Sequence, residues 1–194
     1  EIAIKDSSIN NSLEKDVKIK NNSKSMIYIG IIGGSVSYFL MNLMMIASSL
    51  HLKSHHSFHY ASIAIQMHVL AMFLPSFFVS VLIKKFGNYF VIGCGFILTA
   101  FSSILPILFG NSIFINISLI ILGVGWNFSY SGATALIGGL KGENRLKIQG
   151  INETGIALFA TLGAFLPAPL MDFMGWEGMN FFALIISIFL LGII

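Results

Sequence analysis

Apolar stretches of sixteen to twenty-six residues alternate with short polar breaks six times along this chain, at about 26–50, 59–83, 89–109, 113–138, 149–173 and 179–194. The hydrocarbon core of a bilayer is about 30 Å thick and a helix rises about 1.5 Å per residue, so one crossing takes roughly 20 apolar residues. The pattern predicts an all-α integral membrane protein with six transmembrane helices, the last of them short. Residues 1–25 break the pattern. They set Asp6, Glu14 and Asp16 among Lys5, Lys15, Lys18, Lys20 and Lys24 and lack the apolar centre of a signal peptide. This segment reads as a cytoplasmic polar tail or inter-domain linker in front of a bundle over 26–194. The chain opens at Glu1 and closes at Ile194 without a polar flank, so both ends read as cut and the expectation is a fragment.

Composition agrees with lipid as the solvent. Mean hydropathy is +0.86, 56% of residues are hydrophobic and 10% are charged, against about 25% charge in a soluble domain. The few charges are ordered. Five of the eleven Lys and Arg residues lie in the leader, one (Lys53) in the break at 51–58, two (Lys84, Lys85) at 84–88, and three (Lys141, Arg145, Lys147) at 139–148. Alternate breaks thus hold ten against one. The positive-inside rule puts the leader, the 84–88 turn and the 139–148 loop in the cytoplasm, and with them both termini. Breaks this short leave no room for another domain and describe one helical bundle. Topology accounts for the basic residues, which leaves no nucleic-acid patch. Cys94 stands alone, so neither a disulfide framework nor a Cys-based metal site is available.

The turn after the second stretch reads Ser80-Val-Leu-Ile-Lys84-Lys85-Phe-Gly87. It resembles the G-x-x-x-D-R/K-x-G signature of the major facilitator superfamily, with Lys85 and Gly87 matching, Ser80 in place of the first Gly and Lys84 in place of the Asp. That degenerate form belongs between helices 8 and 9 of the family. Gly123-Val-Gly125-Trp126-Asn127-Phe128, the run from Glu143 through Arg145, Lys147, Gln149, Gly150 and Asn152 to Glu153, Gly175-Trp176, and the Met67 to Phe78 run resemble the C-terminal halves of bacterial permeases of this superfamily. The resemblance covers about 26–194. It implies the C-terminal six-helix half of the fold, a 3+3 inverted repeat, in a bacterial cytoplasmic (inner) membrane. The implied partners are an N-terminal six-helix half, the lipid bilayer and a small-molecule substrate; no cofactor is implied. Leu82-x-Lys84-x-x-Gly87 and Leu170-x-Asp172-x-x-Gly175 recur 88 residues apart, as turns on opposite membrane faces of such a repeat would.

Polar side chains are costly in hydrocarbon and usually face a bundle interior or a water-filled cavity. The first, second, fourth and fifth stretches carry Tyr38 and Asn42, Gln66 and His68, Trp126, Asn127 and Tyr130, and Asn152 and Glu153. The third and sixth are aliphatic or Phe-rich with small hydroxyls, which predicts that they face lipid. Tyr38, His68, Trp126 and Asn127 fall within roughly 6 Å of mid-span, the depth at which secondary transporters bind substrate. Spacing of i, i+4 lets Tyr38 share a face with Asn42 and Trp126 with Tyr130. Tyr38, Asn42, His68, Trp126, Asn127 and Tyr130 are therefore the candidate pathway residues. Interhelical hydrogen bonding or packing is the competing role for each.

His68 is the ionisable group nearest mid-depth, and an imidazole with an ordinary pKa near 6.5 could carry a proton; packing as a neutral ring competes. Glu153 sits one turn into its span, where capping or a gate contact is the expectation. Lys84, Lys85, Gly87, Arg145, Gln149, Asn152 and Glu153 make up the expected cytoplasmic turn and gate. Pro75, Pro167 and Pro169 should bend their helices. The function that follows is alternating-access secondary transport of a small organic solute, with protons as the expected coupling ion. Two alternatives stand beside it. One is a truncated remnant that does not transport; the other is a membrane metalloenzyme built on His51, His55, His56 and His59, although the charge count puts those four outside.

Overall fold

The computed structural model describes the backbone of residues 2–55 and 58–194 and the side chains of 24–54 and 58–194. The described chain forms α1 (Ile2–His55), α2 (Phe58–Phe73), α3 (Ser76–Phe86), α4 (Asn88–Phe109), α5 (Ser112–Gly138), α6 (Arg145–Phe165) and α7 (Pro167–Leu191). Residues 2–23, the polar leader, are helical and continuous with α1. Four helices are long and apolar enough to cross a membrane: Lys24–Ser54, Asn88–Phe109, Ser112–Gly138 and Pro167–Leu191. Phe58–Phe73 and Ser76–Phe86, bent 42° at Pro75, make a fifth if the pair is one span. α6 carries Arg145, Lys147 and Glu153 in its first half and falls outside this set.

Local chemistry explains the ends. Gly110 closes α4 in the left-handed region and donates its N–H to the Pro106 carbonyl; Asn111 then caps α5, accepting from Phe114 N at 3.1 Å. Pro167 cannot donate a backbone bond, yet Leu166 keeps helical angles and the bonds Leu166 N to Leu162 O and Leu170 N to Leu166 O bracket it. The actual break within 167–191 is Gly175, at φ 70° and ψ 178°.

Gly87, the other turn glycine, sits at φ 86° and ψ 163°. The two turns paired by sequence therefore share one backbone conformation, in a region open essentially only to Gly. No atom lies within 4 Å of a Cβ added at either position, so Gly87→Ala and Gly175→Ala should each cost about 1–3 kcal/mol through backbone strain alone. The readout is a lowered melting temperature of purified protein. Gly138→Ala, in a helix with equally open space, should leave that temperature unchanged.

α5 is the central element, with α1, α2 and α4 packed on it, while α6 lies on α1 and α7 on α4 and α1. Small residues allow these approaches. Gly30, Gly33 and Gly34 of α1 lie against Ile137 and Ala133, Gly132 against Ile92, and Gly95 against the α5 backbone at Gly125 and Ser129. Ser37 and Ser129 hydroxyls meet at 2.6 Å between α1 and α5. These contacts run α1 antiparallel to α5 and gather Lys24, Lys84, Lys85, Lys141, Arg145 and Lys147 at one end of the bundle, with Lys53 at the other.

The third and sixth stretches do present apolar outer faces, through Phe90, Ile97, Phe101 and Leu108 of α4 and Phe181, Ile185 and Phe189 of α7. The opposite face of α4 is buried, with Thr99, Ser102 and Ser103 bonded to carbonyls of their own helix. The 58–86 segment exposes as much apolar surface, through Met67, Leu70, Phe73, Leu74, Phe77 and Phe78. Exposure therefore does not single out α4 and α7 as lipid-facing.

Candidate functional site

Tyr38 of α1 and Trp126 and Tyr130 of α5 meet in one cluster. Trp126 and Tyr130, one turn apart, stack with centroids 5.0 Å apart and planes 9° apart. Tyr38 stands edge-on to both, at 5.3 Å from Trp126 and 5.6 Å from Tyr130. Phe73, exposed at the end of α2, adds a fourth ring 6.5 Å from Trp126. Met41 and Met72 are buried against Trp126 and back the group. The Trp126 Nε1 atom is buried without a partner, while Tyr38 and Tyr130 remain half-exposed. Edge-on and stacked rings hold one another in place, and the accessible aromatic surface belongs to Tyr38, Tyr130 and Phe73.

The amides and the imidazole do something else. Asn127 is rotated about 100° around α5 from Trp126 and faces the break between α2 and α3. Its Nδ2 donates to the Met72 carbonyl at 2.8 Å and to Ser76 Oγ at 2.7 Å. It braces the bend at Pro75, where the helix ladder is interrupted. Replacing it with Leu should strip that carbonyl of its donor and cost about 1–3 kcal/mol, seen as a lower melting temperature; Asn127→Gln should recover part of the loss.

Asn42 ties α1 to α6, donating to the Ala160 carbonyl at 3.0 Å. His68 is fully buried between α2 and α5, with Nδ1 2.6 Å from the Leu119 carbonyl. A carbonyl only accepts, so Nδ1 carries the proton. Nε2 is buried with no partner, the arrangement of a packed neutral imidazole. Gln66 is exposed and bonds only Ser62 Oγ, at 3.3 Å.

Toward the Lys-rich end, Lys84 and Lys85 are exposed in the last turn of α3, where cations suit the helix dipole, and Lys85 Nζ lies 5.1 Å over the Phe86 ring. Arg145 begins α6, Gln149 is half-buried, Asn152 is buried and Glu153 is exposed. Asn152 Nδ2 donates to Glu153 Oε1 at 3.2 Å. Among the described residues no hydrogen bond or ion pair links the α3 lysines to the α6 group. At the other end His51 stacks on Trp176 with centroids 4.4 Å apart. The side chains of His55 and His56 lie outside those described.

With this geometry, the family assignment rests on the extent of the match. The family model described as Major Facilitator Superfamily matches residues 30–194. The chain belongs to the major facilitator superfamily. The relatives that it matches are transporters. Over 156 residues it is 37% identical to the riboflavin transporter RfnT of Brucella anthropi, covering 78% of this chain and 39% of that protein. It is 28% identical over 175 residues to the MFS-type transporter YddS of Bacillus subtilis, covering 88% of this chain and 40% of the relative. YdeG of the same organism, also an MFS-type transporter, is 30% identical over 173 residues, with 85% and 40% covered. The chain thus spans about two fifths of the length of these curated relatives.

Phe73 is the cluster member that sequence reasoning missed in this facilitator chain. Its signal was available as an aromatic two residues before Pro75, at the point where a helix must bend and turn its side chains away from the regular stripe.

Proposed function

We propose that the complete protein is a secondary active transporter that moves a small, flat heteroaromatic solute across the bacterial inner membrane by alternating access, coupled to protons. This chain supplies its C-terminal six-helix half, with both termini cytoplasmic, and an N-terminal six-helix half completes the pathway. The observation that carries the reading is the aromatic cluster of Tyr38, Trp126, Tyr130 and Phe73, gathered from three helices of a facilitator chain. The relative named a riboflavin transporter handles a planar isoalloxazine ring, which such faces suit by stacking.

The six-span topology is supported by two backbone features. The bonds that bracket Leu166 let α6 and the first part of α7 act as one bent span, and the break at Gly175 starts the sixth. Clustering of the described cations at one end supports the orientation. Within this reading Lys84, Lys85, Gly87, Arg145, Gln149, Asn152 and Glu153 form the cytoplasmic turn and gate, Asn42 and Asn127 serve the pathway by fixing its walls, and His68 packs behind it.

The test is uptake of radiolabelled riboflavin by cells that carry the full-length gene and have no flavin importer of their own. Saturable uptake competed by unlabelled riboflavin is expected. Absence of uptake from protein that reaches the membrane would reject the flavin-like substrate, and absence of any longer coding sequence around this chain would favour the remnant.

A further inference from the structure

We propose that Glu153, not His68, carries the coupled proton; this rests on the transport reading above. The described carboxylates are Glu143, Glu153, Asp172 and Glu177. Glu143 lies in the loop before α6, and Asp172 and Glu177 flank the break at Gly175, at the opposite end of the bundle. Glu153 alone lies inside a helix on the cytoplasmic side of the aromatic cluster.

Helix register gives its level. Gly34 packs on Ile156, Gly155 on Ser35, and Asn42 bonds Ala160, so α6 runs parallel to α1 with Glu153 about level with residue 32. On antiparallel α5, where Ser37 meets Ser129 and Gly33 meets Ala133, that level falls near residue 134. Glu153 therefore sits about one turn to the cytoplasmic side of Tyr130.

Asn152 equips the site for both protonation states. It is 1% exposed, its Nδ2 donates to the Glu153 carboxylate, and its Oδ1 is buried without a partner. A carboxylate needs a donor and a neutral carboxyl needs an acceptor for its new O–H. One amide supplies both by turning over. His68 has no such arrangement: its one bond is to a backbone carbonyl, Nε2 has no partner, and it is fully buried.

By the same register the titratable groups nearest Glu153 are Tyr130 of α5, one turn away, and Tyr38 of α1, in ring contact with Tyr130, with Arg145 and Lys147 exposed in the first turn of α6. No ion pair joins Glu153 to a described Lys or Arg. In each cycle one Glu153 oxygen takes a proton from water on the side to which the pathway is open. It gives that proton to water on the other side after the pathway has switched.

The experiment uses the full-length transporter in proteoliposomes, with radiolabelled riboflavin as the probe. Accumulation driven by an imposed pH gradient is compared with exchange at equal pH. For Glu153→Gln, gradient-driven accumulation should fall at least tenfold and lose its pH dependence while exchange continues, and Glu153→Asp should restore pH-dependent accumulation. Accumulation by Glu153→Gln equal to that of the unaltered transporter overturns the assignment. Loss of exchange together with accumulation also overturns it, because Glu153 would then serve binding or structure. Failure of the unaltered transporter to accumulate or exchange the probe rejects the substrate reading itself, and this assignment with it.

Discussion

Trp126→Ala should lower transport by about tenfold or more while the protein still reaches the membrane. The indole is the ring against which Tyr130 stacks and to which Tyr38 and Phe73 turn their edges. Removing it releases three neighbouring rings, among them the half-exposed Tyr38 and Tyr130. Aromatic pairs contribute about 0.5–1.5 kcal/mol each beyond the area they bury, and about 1.4 kcal/mol is a tenfold change in an equilibrium constant. Trp126→Phe keeps a ring in the same place and should retain most of the activity. Phe101→Ala, on the exposed face of α4, should change neither uptake nor KM. Equal uptake by Trp126→Ala and the unaltered protein would remove the cluster from the pathway.

Gly95→Ala should act on the fold rather than on transport. A methyl group there would collide with the Ser129 amide nitrogen and come within 2.7 Å of the Gly125 carbonyl oxygen and the Ser129 Cβ. Two of these are backbone atoms of α5, so no side-chain rotation relieves the overlap and α4 must move away from the central helix. Overpacking of this kind costs about 1–3 kcal/mol; here it also threatens the Ser129 contact to Ser37 on the far side of α5. A fall in folded yield and melting temperature is expected. Gly93→Ala, two residues along the same helix with no atom within 4 Å, should fold normally, and the contrast separates close packing from helix propensity.

Much of this architecture was legible because lipid leaves so few options. Hydrophobic runs of span length mark helices, and the run from Ser112 to Gly138 was read almost residue for residue. Breaks were harder. The fifth stretch is divided between α6 and α7 at Pro167, which has no backbone N–H to donate, while the break expected between 173 and 179 falls at Gly175, inside α7. The directions in which the candidate site residues point were not legible. Trp126 and Asn127 are neighbours at one level, yet one joins the aromatic cluster and the other turns to the Met72 carbonyl. Tyr38 and Asn42 likewise separate, toward α5 and α6. Which neighbour each helix face meets is a tertiary property, set here by glycines such as Gly123, whose added Cβ would press on the His68 carbonyl. Counting polar residues per span could not reveal that the hydroxyls of α4 are satisfied within their own helix.

The central claim is that the face carrying Tyr38 and Tyr130 is a water-filled substrate path. Thiol accessibility tests it most directly. Cys94 is the one cysteine of this chain, so single cysteines at Tyr38, Tyr130 and Phe101 can be introduced into a full-length background in which Cys94 and every cysteine outside this chain are replaced by Ser, and treated in membranes with a small charged thiol reagent. Modification at Tyr38→Cys and Tyr130→Cys, slowed by riboflavin, with none at Phe101→Cys, is the predicted result. Protection of Tyr38→Cys and Tyr130→Cys from the reagent under all conditions, or modification indifferent to riboflavin, would contradict it.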